Sequence, residues 1–250
     1  MDWAGCLSNT WRCLNSVFFM CFDLQDGKVA IGIVGCPNLP IINDGNYAWS
    51  ESETEETNQL SRGCIFIASR GGGCYQLPLF PQTSNERSSA VKQVHVTSND
   101  GSSSKITGPR DGRFCVGVEK GIADALGRCD EMAKRLHGIE SAIDENGEIV
   151  KARRIDSMAK YAVISRGEAE YYVRLPKPDY VENIWDHAAG VIVLEEAGGK
   201  VTDQNGHPLN FGLGPKLSDK IEGIFGSNGG HFHEALLRSY NEKDIYEDDS

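Results

Sequence analysis

The feature that most constrains the fold of this 250-residue chain is a change in its hydrophobic pattern near the middle. Before residue 98, short apolar runs alternate with turn signals, and the strongest signal is Asp26-Gly27 between two apolar runs. An Asp-Gly pair favours a tight hairpin because both residues tolerate positive φ. After residue 112, strand-like and helix-like segments alternate. The pattern predicts a largely β first part and an α/β second part.

Apolar periodicity and turn residues also predict the individual elements. In the first part they predict strands over 17–22, 28–38, both sides of the Gly71–Gly73 turn and 91–98, with polar loops over 41–62 and 81–92. In the second part they predict strands over 114–119, 153–156, 168–176, 200–203 and 221–228, and helices over 122–136, 157–167, 187–199 and 231–241.

A stretch rich in Gly, Ser and Pro over 98–112 separates the two patterns. Such a composition is typical of a loop or linker. We therefore expect a sheet domain over 16–108 and an α/β domain over 109–240. Residues 241–250 form an acidic tail, and residues 1–15 fit neither pattern, as expected of an unrelated or aberrant N-terminus.

Composition narrows the classes of function. The formal net charge of −11 argues against binding of a nucleic acid polymer, although a local basic pocket can still bind a small phosphorylated molecule. No apolar run reaches the roughly 18 residues of a membrane span. Eight cysteines occur without a C-x-x-C pair, which favours reduced thiols and an intracellular, cytoplasmic protein. An organellar location would require a targeting segment lost with the N-terminus.

The segment with the clearest chemical content is Ile184–Asp203, IWDHAAGVIVLEEAGGKVTD. Asp186 precedes an apolar helix, and two interpretations follow from its position. Asp is a favoured N-cap, so its carboxylate could accept hydrogen bonds from the first helical N–H groups. Alternatively, it could be a metal-ligating carboxylate beside a helix N-terminus that holds phosphate. Ala188, Ala189 and Gly190 would let this helix end approach its neighbours closely.

The pattern W-D-x-A-A-G, an apolar helix and then E-A-G-G-x-V-T-D closely resembles a signature of the inositol monophosphatase superfamily. Four other stretches resemble its 3'(2'),5'-bisphosphate nucleotidase branch, and the likeness extends over about residues 16–230. They are VGCPN at Val34–Asn38, GVEKG at Gly117–Gly121, DSMAKY at Asp156–Tyr161 and YVRLP at Tyr172–Pro176. The resemblance implies a layered α/β sandwich and a Mg²⁺-dependent phosphatase. Such an enzyme removes the 3'-phosphate from 3'-phosphoadenosine 5'-phosphate, giving AMP and phosphate, or from the sulfated relative of this nucleotide.

The resemblance also implies roles for matching residues. Asp186 corresponds to a carboxylate ligand of Mg²⁺ that also borders the substrate. Ser157, Lys160 and Arg174 correspond to nucleotide-contacting residues. Glu119, Lys120 and Gly121 correspond to a loop that lines the nucleotide pocket, and Ile122 stands where the branch often carries His.

Each of these positions also has a simpler structural interpretation. Ser157 could cap the helix that follows Asp156, and Lys160 could be a solvated helix residue. Arg174 at a strand end could pair with Glu170 or Glu182.

The metal motifs of the family are the part that this sequence does not match. The resemblance implies further ligands from an upstream acidic pair and a D-P-I-D-G-T-type motif, before the strand near Val17. Asp-Gly occurs at Asp26, Asp44, Asp100 and Asp111, and none is followed by Thr. Relative to the family we therefore expect a chain truncated at its N-terminus, without the N-terminal helices that cover the first sheet, so that an apolar face is exposed.

Three functions stay open at this point. The first is the Mg²⁺-dependent bisphosphate nucleotidase. The second is a non-catalytic nucleotide-binding paralogue or an inert fragment, and the third is a phosphatase of inositol phosphates or polyphosphates.

Overall fold

The computed structural model describes residues 19–41, 62–80, 91–97, 106, 108–117, 127–138, 142 and 152–241. The predicted N-terminal segment 1–15 and all but the first residue of the predicted tail lie outside these residues. Most of the two predicted polar loops and of the predicted linker also lies outside them.

The first part of the chain forms an antiparallel sheet of five strands in the order β1-β2-β3-β4-β5. The strands are β1 (Phe19–Gln25), β2 (Lys28–Pro40), β3 (Arg62–Ser69), β4 (Gly73–Pro78) and β5 (Lys92–Gln93). Asp26 and Gly27 join β1 to β2 with φ of 52° and 73°. Two consecutive positive φ values are typical of a type I′ hairpin turn, so the predicted hairpin is confirmed.

The second part forms a mixed sheet in the order β7-β6-β8-β10-β9, in which β6 is parallel to β7 and β8, and β10 is antiparallel to β8 and β9. The strands are β6 (Phe114–Val116), β7 (Ala152–Arg154), β8 (Tyr171–Arg174), β9 (Lys200–Asp203) and β10 (Ile224–Ser227). The helices are α1 (Arg128–His137), α2 (Ala159–Ser165), α3 (Ala188–Glu196) and α4 (Gly230–Asn241), with 3₁₀ turns at Pro109–Asp111 and Ile184–Asp186.

Two predicted elements need correction. The predicted strand over 91–98 is reduced to Lys92–Gln93, because the N–H of Val96 donates to the carbonyl of Ala197 and draws the chain away from the sheet. In the described part of the predicted helix over 122–136, α1 begins only at Arg128, since Gly127 has a φ of 67°, and residues 122–126 lie outside the described residues.

The elements stack in layers, and α2 and α3 lie between the two sheets. Helix α3 is apolar on all sides, and its residues from Ala188 to Leu194 are buried. It packs on β2 and β3 of the first sheet, on α2, and on β9 of the second sheet. Helices α1 and α4 pack together, and their apolar side chains form a second core with β6, β8 and β10. The mixed α/β class is thereby confirmed, whereas the domain boundary at residue 108 stays a prediction.

The face of the first sheet that points away from α3 is also apolar. Ile33, Ile67 and Tyr75 lie side by side across β2, β3 and β4. Ile31 on the same face is 46% exposed and Tyr75 is 36% exposed. Ile33 and Ile67 are partly buried. The expectation that missing N-terminal helices expose this face stays a prediction.

Glycines allow the close contact between α3 and its neighbours. A Cβ at Gly32 of β2 would lie 2.9 Å from the carbonyl oxygen of Ala189, and a Cβ at Gly190 would lie 2.3 Å from Cδ2 of Tyr161. Both distances are too short for a real side chain. The predicted close approach of this helix end is therefore confirmed.

We expect Gly32→Ala to destabilise the protein by about 1–3 kcal/mol, because the added methyl group meets helix backbone that cannot move independently. Urea unfolding should show this as a lower midpoint. Gly108→Ala is the matched control, since a Cβ there meets no atom within 4 Å, and it should change stability by less than about 0.5 kcal/mol. Equal midpoints for the two variants would contradict the packing described here.

Candidate functional site

Asp186 ends the 3₁₀ turn directly before α3, and its side chain is exposed. Its Oδ2 accepts a hydrogen bond of 2.9 Å from Nδ2 of Asn183. The N-cap position of α3 belongs to His187 and carries no side-chain capping bond, so the N-cap interpretation of Asp186 is wrong. The carboxylate is therefore turned to the surface and is accessible to a ligand.

Ser157 lies in the turn before α2, and its backbone has a φ of 59°. A non-glycine residue in the left-handed region costs free energy, and such residues cluster at functional sites. The N-cap position of α2 is Met158, so Ser157 is not the capping residue. Ser157 is exposed and lies two residues before the start of α2.

Lys160 is buried, with only 8% of its surface exposed, so the interpretation as a solvated helix residue is wrong. Its Nζ donates to the carbonyl of Ile155 at 3.3 Å and lies 5.7 Å from the centre of the Tyr172 ring. Burial penalises the ammonium and lowers the pKa of Lys160 to about 8. A partly desolvated cation of this kind is suited to bind an anion that replaces its lost water.

Arg174 ends β8, and its Nε donates to Oε1 of Glu182 at 2.8 Å. The prediction that this arginine pairs with one of two glutamates is confirmed for Glu182. The other candidate, Glu170, instead accepts from Nη2 of Arg113 at 2.8 Å.

A chain of hydrogen bonds leads from Arg174 to the sequence neighbours of Asp186 and Lys160. Oε2 of Glu182 lies 3.2 Å from Nε2 of His187, and Nδ1 of His187 lies 2.8 Å from the Tyr161 hydroxyl. Arg174 is thus joined to the residue after Asp186 and to the residue after Lys160. The charges of Arg174 and Glu182 both act on the pKa of Lys160, which places the three groups in one electrostatic environment.

The sequence prediction named Glu182 as a possible partner of Arg174 but not as a site residue, and it assigned no role to His187 or Tyr161. The available signal was their position, because His187 follows Asp186 in the W-D-H segment and Tyr161 ends DSMAKY. The predicted pocket residues Glu119, Lys120 and Gly121, and the substituted position Ile122, lie outside the described residues.

The described residues do not complete a metal site by themselves. Among them, no group of three or more His, Cys, Asp and Glu side chains is arranged to hold an ion. Mg²⁺ prefers octahedral coordination by oxygen, and Asp186 offers one carboxylate. In the same part of the chain, no helix is long and apolar enough to cross a membrane.

Five buried cysteines are not reactive groups of this site. Cys36, Cys64, Cys74, Cys115 and Cys129 are buried thiols. Burial, with a smaller effect of Cys64, raises the pKa of Cys36 to about 12, and burial raises that of Cys64 to about 11. A thiol with such a pKa is a poor nucleophile at neutral pH.

The fold and the site together define a layered α/β protein in which hydrogen bonds join an arginine at a strand end to the turn that carries an exposed carboxylate. The chain belongs to the inositol monophosphatase family, whose profile matches residues 23–244.

Several curated relatives cover most of the chain. A 3'(2'),5'-bisphosphate nucleotidase of Schizosaccharomyces pombe is 36% identical over 214 residues, which are 85% of this chain and 51% of the relative. The 3',5'-bisphosphate nucleotidase AHL of Arabidopsis thaliana is 32% identical over 86% of this chain and 53% of its own length. The 3'(2'),5'-bisphosphate nucleotidase of Emericella nidulans is 38% identical over 78% of this chain and 49% of its own length. The chain therefore spans about half the length of these relatives.

Solved structures agree on the fold. An inositol monophosphatase of Thermotoga maritima superimposes with a TM-score of 0.50 at 18% identity, covering 90% of this chain and 60% of that protein. An inositol monophosphatase of Zymomonas mobilis gives a TM-score of 0.50 at 12% identity, over 87% and 60%. At this level of identity the likeness establishes the shared fold.

We expect Lys160→Met to stabilise the protein at pH 7 and to lose this advantage as the pH rises. Below pH 8 the buried ammonium is charged in the folded and unfolded states, so its full burial penalty opposes folding. Between pH 8 and about 10.5 the folded state loses the proton first, and the penalty disappears. The gain at pH 7 should be on the order of 1 kcal/mol or more.

Urea unfolding of both proteins at pH 7 and pH 10 measures this difference. Lys177→Met, at an exposed lysine, is the control and should show a small effect that does not depend on pH. A Lys160→Met advantage that is the same at both values would mean that the lysine is not desolvated.

Proposed function

We propose that this chain is a phosphatase of 3'(2'),5'-bisphosphate nucleotides, with 3'-phosphoadenosine 5'-phosphate as its substrate. The observation that carries the proposal is the chain of hydrogen bonds that joins Arg174, through Glu182 and His187, to the turn of Asp186, with Lys160 in the same electrostatic environment as Arg174 and Glu182. The names of the curated relatives support the same substrate class.

The proposed roles follow from chemistry and burial. Lys160 is a buried point charge that would bind one phosphate group, and Arg174 is a planar donor that would orient another. Ser157 is exposed in the turn before α2, and its hydroxyl would donate a hydrogen bond to a phosphate oxygen. Glu119, Lys120 and Gly121 stay predicted contacts from the resemblance.

The proposed cofactor is Mg²⁺, with Asp186 as one ligand. When bound at a phosphatase site, such an ion supplies charge neutralisation and lowers the pKa of a coordinated water. The described carboxylates do not complete the coordination sphere, so we assign no catalytic step to the ion here.

The incomplete ligand set among the described residues favours a second candidate function, a nucleotide-binding protein without hydrolysis. This candidate uses Lys160 and Arg174 in the same way and does not need the metal. The third possibility, an inositol phosphate as substrate, uses the same cations without a base-binding surface.

Both candidates are tested by binding and by turnover. We expect 3'-phosphoadenosine 5'-phosphate to bind the purified chain in calorimetry and to raise its melting temperature. Lys160→Met should weaken this binding at least about 10-fold, because a hydrogen bond to a charged group is worth about 1.5–3 kcal/mol. Lys177→Met is the control and should bind normally.

The same substitution at Lys160 is expected to stabilise the fold, so weaker binding cannot be attributed to unfolding. Phosphate release with Mg²⁺ that stops in Asp186→Asn supports the phosphatase. Binding without release supports the second candidate. Tighter binding of inositol monophosphate than of the nucleotide contradicts the nucleotide assignment, and a folded sample that binds neither ligand rules out all three functions.

A further inference from the structure

Three buried side chains and the half-buried Arg174 form a row at the proposed nucleotide site, and we refer to Arg174, Glu182, His187 and Tyr161 as the anchoring row. The contacts are 2.8 Å from Nε of Arg174 to Oε1 of Glu182, 3.2 Å from Oε2 of Glu182 to Nε2 of His187, and 2.8 Å from Nδ1 of His187 to the Tyr161 hydroxyl. Glu182, His187 and Tyr161 are almost completely buried, at 4%, 2% and 1% exposure.

The row is consistent in its donors and acceptors. Glu182 accepts from Arg174 and from Nε2–H of His187. A neutral ring that donates from Nε2 accepts at Nδ1, so the Tyr161 hydroxyl can donate to it. Burial opposes the charge of Glu182, but the hydrogen bond from His187 and the charge of Arg174 outweigh it and lower the pKa of this carboxyl. Glu182 is therefore a carboxylate held at a fixed place.

The row ties three separate elements together. Arg174 belongs to β8, Tyr161 belongs to α2, and Glu182 and His187 lie on the segment that carries Asp186. The segment is also held by its backbone, because Leu217 N–H donates to the carbonyl of Glu182 and Ile184 N–H donates to that of Pro215. Every side chain of the proposed site that the structure describes, apart from Ser157, lies within one residue of the row or belongs to it.

We propose that Glu182 is a positioning residue for the nucleotide site: it orients the Arg174 guanidinium toward a substrate phosphate, and His187 and Tyr161 hold Glu182 in place. The inference rests on the proposed function, because it requires a phosphate at Arg174. Its physical basis is that a donor held in one orientation loses less conformational entropy when it binds.

The sign of one effect distinguishes positioning from simple electrostatics. Glu182 is an anion beside a site for anions, so its removal would by itself strengthen phosphate binding. Glu182→Gln keeps the size of the side chain and removes its charge. If Glu182 positions Arg174, this variant binds the nucleotide more weakly in spite of the favourable change in charge.

The test is a double-mutant cycle read by calorimetry with 3'-phosphoadenosine 5'-phosphate. We expect Glu182→Gln to raise the Kd about 10-fold in the parent chain, and to change it less than about 2-fold when Arg174→Met is already present. A residue that acts only on the fold would produce the same factor in both backgrounds. Tyr161→Phe removes one hydroxyl at the far end of the row and should raise the Kd about 3-fold, again only when Arg174 is present.

Tyr171→Phe is the matched control for Tyr161→Phe. Its hydroxyl is also buried and donates to the carbonyl of Pro109 at 2.9 Å, but Tyr171 has no contact with the row. It should lower stability and leave the Kd unchanged.

Three outcomes have distinct meanings. If the parent chain does not bind the nucleotide, the proposed function has failed and the inference fails with it. If the parent binds and Glu182→Gln binds equally or more tightly, positioning by Glu182 is overturned while the function stands. If Glu182→Gln does not fold, Tyr161→Phe decides, and a Kd equal to that of the parent or of Tyr171→Phe overturns the inference.

Discussion

The burial of α3 between two sheets is the constraint on which the rest of the structure depends. A helix that is apolar on every side has no face to offer to water, so it must be covered by both sheets. Each fully buried Val, Ile or Leu contributes about 1.5–3 kcal/mol, and α3 carries four of them in Val191, Ile192, Val193 and Leu194. Because α3 is held in this way, the position of its first turn is fixed, and with it the position of Asp186 just before the helix.

The position of α3 explains which parts of the fold the sequence predicts. Apolar helices and hairpin turns have local causes, so the turn at Asp26-Gly27 and the strand over 200–203 follow from their own residues. The chain after Gln93 depends on a distant partner, because the backbone of Val96 bonds to Ala197 at the end of α3. No local pattern around Val96 contains that partner, and the strand predicted there was too long.

The site divides in the same way. The family resemblance pointed to Lys160, Arg174 and Asp186, but neither composition nor spacing indicates that Lys160 is buried. Its burial follows from how α2 packs between the layers, which is a property of the whole fold. Glu182 was one of two equivalent partners for Arg174 in the sequence, and only the turn that returns the chain from β8 toward α3 selects it. The sequence therefore predicted which charged residues belong to the site, whereas the hydrogen bonds between them depend on the fold.

Helix α3 also shows how the fold separates capping from ligand binding. The first N–H groups of a helix need acceptors, and an Asp just before it would ordinarily supply one. Here the N–H of Gly190 donates to Sδ of Met158 at 3.3 Å, a weak acceptor buried in the core. Asp186 is one residue too early to cap, and its carboxylate accepts a hydrogen bond from Asn183. The N-terminal hydrogen bond of the helix is therefore weaker than one to a carboxylate would be. The positive end of the helix lies beside a carboxylate that is still exposed to a ligand.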